Sequence, residues 1–593
     1  MRQLHITVTT IHGIPYCYAA ECKWNPSEQK YDKPSKAVGK IDGEHGFVPN
    51  KYFSELLSRM IDDPKSINEH EQRIIDTVKA KYGENIEPVL VTKSNAAEIV
   101  DIIQTATVIH YGPQLVLGNI ASRYRIDAML SKAFDKELGQ SILSLAWYIT
   151  SEGSALSNND SWLDYFENPR GSGFSSQEIT KLLDCIDYDG IMTFYKMWLK
   201  GFARTDKVLY DLTSISYYGS GIHVADWGYN RDHDNLPQVN YAMLCIRDTA
   251  MPLFAWPLAG SISDISTLEN TLQFLNKLGY KPNCLMMDRG FASISNIGYL
   301  LRHGHTFLQA LKVNAKWICD IIDAGESFRH RPDSMFKVED RTYYASTTHL
   351  QCVHCWKPDG KKAKEEMFFH QCNGKSDRYK PQGSDGTQEF EQYPCQAHVI
   401  FCQDLVGNSW DRFMGNLNDE YLRLLGDPLA SVKPAYVPFF VISKPKYARK
   451  RTVDFNMVAI TNHKNKYAGY MCFLTNDPTI KTAEDALREY STRDYIEKDF
   501  DEMKNDLDMR RIRVHKDDRM RARLFIQFIA EILLREIRFK LHQSENTKKM
   551  TKTQIFSHIK TISKVHFQGK YNDVQPSLSK KQRSILEALG IFA

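Results

Sequence analysis

Three features of this 593-residue sequence predict an α/β protein whose mixed-sheet core is interrupted by a large β-rich insertion. Between residues 207 and 312, strand-length apolar runs alternate with helix-length periodic runs in the order β-β-β-α-β-α-β, which specifies a mixed sheet with helices on its faces. From 314 to 477 the chain is richer in short strands, Gly, Pro and turn residues, and it is too long to be a loop. A strongly periodic helix then starts near Thr482, so the first core resumes after the insertion.

Taken in order, residues 1–50 read as a small β unit: HITVTT, IPYCYAAECKW and a turn region ending in GKIDGEHGFVPN. Residues 51–202 are mainly helical. Helical periodicity runs from Tyr52 to about Ala80, a short strand is expected at Pro88–Thr92, and helices resume at Ala96–Thr107 and continue to about Trp198. Their polar turns fit a helix-turn-helix as well as they fit a compact linker. Residues 203–313 form the first part of the core, with strands around YDLTS, NYAMLCIRD, LFAWPLAG, CLMMD and TFLQALK. The insertion occupies 314–477. The core's second part, 478–541, opens on the turn Asn476-Asp477-Pro478, with Thr482 and Asp485 spaced as a capping box. Residues 542–593 form a basic helical tail suited to DNA contact or dimerisation.

Composition narrows the function classes. Apolar residues at 42% and aromatics at 11% exclude general disorder. The most apolar helical run, LFIQFIAEILL at Leu524–Leu534, is broken by Gln527 and Glu531 and is too short for a bilayer. No N-terminal stretch has the make-up of a leader, so a soluble, cytoplasmic protein with no membrane partner is expected. Residues 505–593 hold 19 Lys+Arg against 9 Asp+Glu, a net +10 in a chain of +4, which leaves the remainder acidic. Such an end suits phosphate backbones, or is simply a solvated face. Twelve cysteines in so long a chain do not make a disulfide framework. Cys352 and Cys355 form a C-x-x-C followed by His370, Cys372, Cys395, His398 and Cys402. These are zinc-type ligands, but the second half lacks a paired spacing, and reduced cysteines in a β-rich region are the expected state.

The stretch YSTRDYIEKDFDEMK places Tyr490, Arg493, Glu497 and Lys504 within a helical sector of roughly 60°. Ile496, Phe500, Met503 and Leu507 fill a second sector that can bury. A carboxylate flanked by cations suits a metal ion and a phosphate held together, although i,i+4 ion pairs on a solvated face give the same pattern. Two further acids have telling contexts. Asp211 is mid-strand in YDLTS, where burial without a partner is costly. Asp288 ends the apolar strand CLMM, at the carboxyl end where ligands collect in α/β sheets. A turn or capping aspartate fits Asp288 equally well. Two aspartates from neighbouring strands and a glutamate from a helix make a cage for two Mg2+ or Mn2+ ions about 4 Å apart. Such a pair activates a water or a 3′-hydroxyl and stabilises the departing oxygen of a phosphodiester.

YDLTS around Asp211, MMDRGF around Asp288, and Y-(2)-R-(3)-E-(6)-K at Tyr490, Arg493, Glu497 and Lys504 together resemble an insertion-sequence DDE transposase of the group with that signature. GYNRDHDNLPQVNY at Gly228–Tyr241 resembles a segment of a subgroup of these enzymes. The resemblance implies a ribonuclease H-like core and recognition of terminal inverted repeats on double-stranded DNA. It also implies synapsis by a homodimer and cut-and-paste excision through hairpin ends, followed by strand transfer. By position it makes Asp211, Asp288 and Glu497 the catalytic metal ligands, and Tyr490, Arg493 and Lys504 contacts to end DNA. Arg289, next to the second Asp, is a further strand contact, and Trp317, Trp356 or Trp410 is either a base-stacking residue or core. Three other readings are open: an inactive DNA-binding regulator, an aspartyl-nucleophile phosphatase and a scaffold. The complete acidic set argues against the first, Thr213 in place of a second aspartate against the next, and the shared polar stripe against the last.

Overall fold

The computed structural model describes residues 4–591 except 12, 22, 26–29, 33, 43–45, 85, 87–103, 105, 154, 203–206, 229, 231–233, 314–315, 325, 357–365, 373–388, 428, 444–450 and 568–572. The strand expected at Pro88–Thr92 and most of the Ala96–Thr107 helix lie outside the described residues. The chain divides into two compact units: Met1–Val108 with Val565–Val574, and Ile109–Lys564 with Gln575–Ala593.

The smaller unit is a four-stranded antiparallel sheet in the order β1 (Leu4–Ile11), β2 (Ile14–Glu21), β3 (Ser35–Asp42), β4 (Gly46–Pro49). Two helices, α1 (Lys51–Asp62) and α2 (Glu69–Tyr82), supply Phe53, Leu56, Ile74, Ile75 and Val78 to a core shared with Ile6, Cys17 and Val38. Asn68 and Glu71 cap α2 reciprocally, which satisfies two otherwise unpaired N–H groups.

The larger unit is built on one eleven-stranded sheet. Its first five strands are β5 (Lys207–Tyr217), β6 (Gln238–Ile246), β7 (Pro252–Ala259), β8 (Cys284–Met287) and β9 (Thr306–Leu311), in the spatial order β7-β6-β5-β8-β9. β6 runs antiparallel to both β5 and β7, while β8 runs parallel to both β5 and β9. The parallel step into β8 requires a crossover, which α3 (Asp264–Lys277) provides; α4 (Ile294–Arg302) does the same between β8 and β9. Strands β5, β6 and β8 are buried throughout or nearly so, as expected where helices cover both faces.

Four of the inserted strands extend the core sheet, while a separate antiparallel pair, Phe440–Ser443 with Thr452–Phe455, forms a two-stranded sheet of its own. β10 (Met335–Val338), β11 (Arg341–Trp356), β12 (Glu366–Gln371) and β13 (Glu389–Phe401) continue the core sheet through β14 (Tyr470–Thr475), which pairs antiparallel with both β9 and β13. Apolar alternation in a strand reveals burial but not which edge the strand joins, so the sequence left this attachment open. Leu417, Leu424, Phe439, Phe440, Val453 and Ile460 form a separate small core within the insertion.

Cys352 and Cys355 lie on the continuous strand β11, where residues three apart point to opposite faces, so they do not chelate one ion together. Burial pushes the Cys352 thiol up to about 12, which keeps it neutral. Trp317 stacks on Phe369 at 4.3 Å and Trp410 on Phe413 at 5.6 Å, so both are packing residues here. The Trp356 side chain lies outside the described ones.

The apolar run at Leu524–Leu534 lies within α7 (Asp517–His542), which is buried along most of its length. No described helix is long and apolar enough to cross a membrane. Several cations of the basic end pair with acids, some on the body and some within the end itself: Arg519 with Asp184, Lys560 with Glu152 and Lys564 with Glu167, and Arg538 with Asp506. The final helix buries Ile585 and Leu586 fully. The segment is therefore a packed part of the unit as well as a basic one.

Candidate active site

Strand register brings the two aspartates together. In the parallel pair β5–β8, Tyr210 stands opposite Met287, and the next residues along are Asp211 and Asp288. Tyr210 takes the opposite face, where its hydroxyl meets Thr267 and Thr271 of α3 at 3.2 and 3.0 Å. Alternation then turns Asp211 the other way. Asp288 leaves the strand end as the cap of a short turn, its Oδ1 accepting from the Gly290 N–H at 2.6 Å. A Cβ at Gly290 would sit 2.7 Å from that oxygen and 2.8 Å from Asp264 Oδ2, so any larger residue there would push one of these carboxylates aside.

The polar stripe is carried by two helices rather than the single one expected. α5 (Ala483–Ser491) ends before Thr492, and α6 (Asp494–Asp506) starts after Arg493. The cause is local. The Thr492 hydroxyl donates to the Glu489 carbonyl at 2.7 Å, and the Arg493 N–H turns to the Tyr490 carbonyl at 3.0 Å, a tighter 3-10 pattern. Both junction residues keep right-handed helical dihedrals, so the stripe survives the break. Thr482 and Asp485 form the reciprocal capping box read from the sequence.

Arg493 gathers all three acids. Its Nη2 lies 2.8 Å from Asp211 Oδ2 and 3.7 Å from Asp288 Oδ2, while Nη1 lies 2.6 Å from Glu497 Oε1. Asp211 is buried, Asp288 is half-buried and Glu497 is exposed. Among the described residues no three acidic, His or Cys side chains are close enough to hold one metal as they stand, because the guanidinium lies between the carboxylates. The expected cage is thus one neighbourhood of three hard oxygen donors around a positive group.

Electrostatics follow from burial and charge. Burial, with the Asp288 charge added, lifts the Asp211 carboxyl from 3.8 to about 6 against the pull of Arg493 and the Leu212 N–H. Burial likewise pushes the Tyr490 phenol up to about 12, and its ring packs on Phe473 at 4.8 Å. Burial opposes the charge on Arg493, but Asp211, Tyr490, Asp288 and Glu497 outweigh it and hold the group protonated. Lys504 lies two turns beyond Glu497 on α6 and is buried; Arg289 is exposed beside Asp288.

Several positioning groups carried no signal in the sequence. Gln309 on β9 is fully buried and donates Nε2 to the Asp288 carbonyl at 2.5 Å and to the Ala310 carbonyl at 2.9 Å. Glu489 ties α5 to the sheet through Lys207 at 3.0 Å and through Arg247. Within the Gly228–Tyr241 segment, Asn230 and Asp234 bond the Ser216 hydroxyl at 3.1 and 2.9 Å; residues 229 and 231–233 lie outside the described ones. On the expectation drawn from the sequence resemblance, that this site cleaves DNA, Gln309→Met, which keeps volume but loses both bonds, should slow single-turnover cleavage about tenfold with DNA affinity unchanged. A matching loss of affinity in a binding titration would move Gln309 from positioning to DNA contact.

These facts define a class: an α/β core that presents carboxylates from a central strand, the end of its parallel neighbour and a later helix to one shared cationic centre. Residues 203–533, more than half the chain, match the transposase DDE domain family, and the chain belongs to that family. The match runs from the entry to β5 into α7 and includes all three acids. No curated protein matches. A solved structure of the piggyBac transposase synaptic complex with hairpin DNA matches with a TM-score of 0.30 and 10% identity, covering 65% of this chain and 62% of that one.

Proposed function

We propose that this protein is a cut-and-paste DNA transposase of the Y-(2)-R-(3)-E-(6)-K group. In this reading it binds the terminal inverted repeats of its element, cleaves by metal-dependent phosphodiester hydrolysis and joins the 3′-hydroxyl ends to target DNA. The observation that carries the proposal is the meeting of Asp211, Asp288 and Glu497 on one guanidinium, from sequence positions far apart. The order β7-β6-β5-β8-β9, three antiparallel strands followed by two parallel ones, supports a ribonuclease H-like core.

The donor set fits Mg2+ or Mn2+, since three carboxylates offer hard oxygens around a place that a positive charge already fills. Two such ions supply activation of the attacking hydroxyl and stabilisation of the leaving oxygen. The chain's own groups do the rest. Arg493 is suited to two phosphate oxygens by its fork geometry, Lys504 and Arg289 act as point or forked charges, and Tyr490 offers a hydroxyl and a ring face. The apolar seam of Ile496, Phe500 and Met503, all buried, anchors α6, and Glu497 is linked to the two aspartates through Arg493.

The same reading assigns end recognition to the N-terminal units, synapsis to a homodimer and the cytoplasm, at the nucleoid, as the site of action. The complete acidic set gives no support to an inactive regulator. Incubation with a duplex carrying the inverted repeats that flank the reading frame, in Mg2+, is expected to release hairpin-ended fragments on a denaturing gel. Exclusively open ends would remove the hairpin route, and no cleavage of any flanking repeat would remove the transposase reading.

A further inference from the structure

Arg493 has two demands on it that one side chain does not meet at once. It bridges Asp211, Asp288 and Glu497, and its Nη2 is shared between the two aspartates at 2.8 and 3.7 Å. The carboxylate oxygens it uses are the donors the proposed cations need, and its guanidinium fills the space between them. Its Nη groups are also the ones proposed to hold the phosphate next to the cleaved bond. A cation entering among the three acids therefore meets both a steric obstacle and a like charge.

We infer that Arg493 is an internal occupant of the cation site, and that transfer of its guanidinium from the carboxylates to a DNA phosphate opens that site, so that DNA binding and divalent-cation binding favour each other. This rests on the reading of Asp211, Asp288 and Glu497 as the cation ligands. The local structure suits such a transfer. Arg493 stands at the junction between α5 and α6, where the backbone has left regular α-helical hydrogen bonding, and it has no side-chain cap bond of its own there. Glu497, one of its three partners, is exposed and within the first turn of α6, so that contact breaks without opening the core. Asp211, the buried partner, is the one whose charge most needs replacing when the guanidinium leaves, and a divalent cation replaces it with more charge than was lost.

The device gives the enzyme an order of events. Without DNA, the acids are neutralised internally and the cation site is held shut. With DNA, phosphate competes for the guanidinium and the acids turn to the cations. Linkage makes the effect reciprocal: the factor by which DNA tightens cation binding is the factor by which cation tightens DNA binding.

The test is a Mn2+ titration of the full chain, read by the EPR signal of free Mn2+, with and without a mixed-sequence linear duplex. Arg493→Gln without DNA is expected to bind Mn2+ roughly 5–150-fold more tightly than the wild-type protein, the span typical of coupled sites. The duplex is expected to tighten Mn2+ binding by the wild type more than by Arg493→Gln; phosphate ligation of the ion would tighten both alike. Equal or weaker binding by the variant without DNA overturns the inference. Should that variant not fold, the wild type alone decides: if the duplex leaves Mn2+ affinity unchanged, and Mn2+ leaves duplex affinity unchanged, the coupling does not exist. Asp211→Asn with Glu497→Gln separates the two levels of the argument. Mn2+ binding by that double variant equal to wild type would overturn the ligand assignment itself, whereas its loss alongside an unaltered Arg493→Gln would overturn only the role of Arg493.

Discussion

Asp288→Asn and Glu497→Gln are each expected to lower Mg2+-dependent cleavage of end DNA by at least about three orders of magnitude, while end binding stays near wild type. The size follows from what each carboxylate would hold. A catalytic cation contributes several kcal/mol to the transition state, and each 1.4 kcal/mol or so is a factor of ten in rate. Asp288 carries an additional burden, because its Oδ1 also organises the Gly290 turn at the strand end. Asparagine keeps an oxygen for that bond, so the variant tests the charge rather than the loop. Glu497 is exposed and, among the described residues, its ion pair is with Arg493, so glutamine there leaves the packing of α6 untouched. Cleavage assays with radiolabelled ends, paired with a binding titration, separate the two effects. Residual cleavage within tenfold of wild type in either variant would take that residue out of the site.

Asp211→Asn is expected to abolish cleavage too, yet to make the protein more stable at pH 8 by up to about 3 kcal/mol. The sign follows from the folded-state carboxyl, which burial lifts from 3.8 to about 6. In the folded chain that group prefers to be neutral, so below about pH 4 it carries no penalty, and between pH 4 and 6 the folded state binds the extra proton. Stability is therefore lost as pH rises through about 6, and the full cost is present at pH 8. Asparagine is neutral at every pH and avoids it. Urea midpoints of the two proteins should converge near pH 4, draw apart between pH 4 and 6 and stay apart above it, with the variant higher. A variant less stable than wild type at pH 8 would mean that the bond to Arg493 outweighs the burial penalty. The expected pattern is that of a site whose charge is kept for chemistry at the expense of stability.

Local chemistry explains what could be read in advance. The capping box at Thr482 and Asp485, the apolar seam of α6 and the strand pattern around YDLTS and CLMM depend on residues a few positions apart, so they are visible in the chain and they recur in the structure. The polar stripe was legible for the same reason, although its helix breaks at Thr492, whose hydroxyl bonds the Glu489 carbonyl. The insertion showed itself by composition, but most of its described strands turned out to extend the core sheet through β14. Gln309 and Glu489 gave no sign at all, because a lone polar residue acquires a task only when a strand or helix from elsewhere arrives beside it.

By itself, then, the sequence determined the alternation of strands and helices and the caps. It also supplied the two aspartates in strand contexts and a glutamate spaced between an arginine and a lysine. The tertiary structure alone decided that β8 pairs parallel to β5 with Asp288 one step past the last matched pair, and that Arg493 lies among all three acids. The reason is physical. Helix periodicity, capping and strand alternation arise from neighbours along the chain, whereas strand register and the direction of a buried guanidinium are settled by packing between segments hundreds of residues apart.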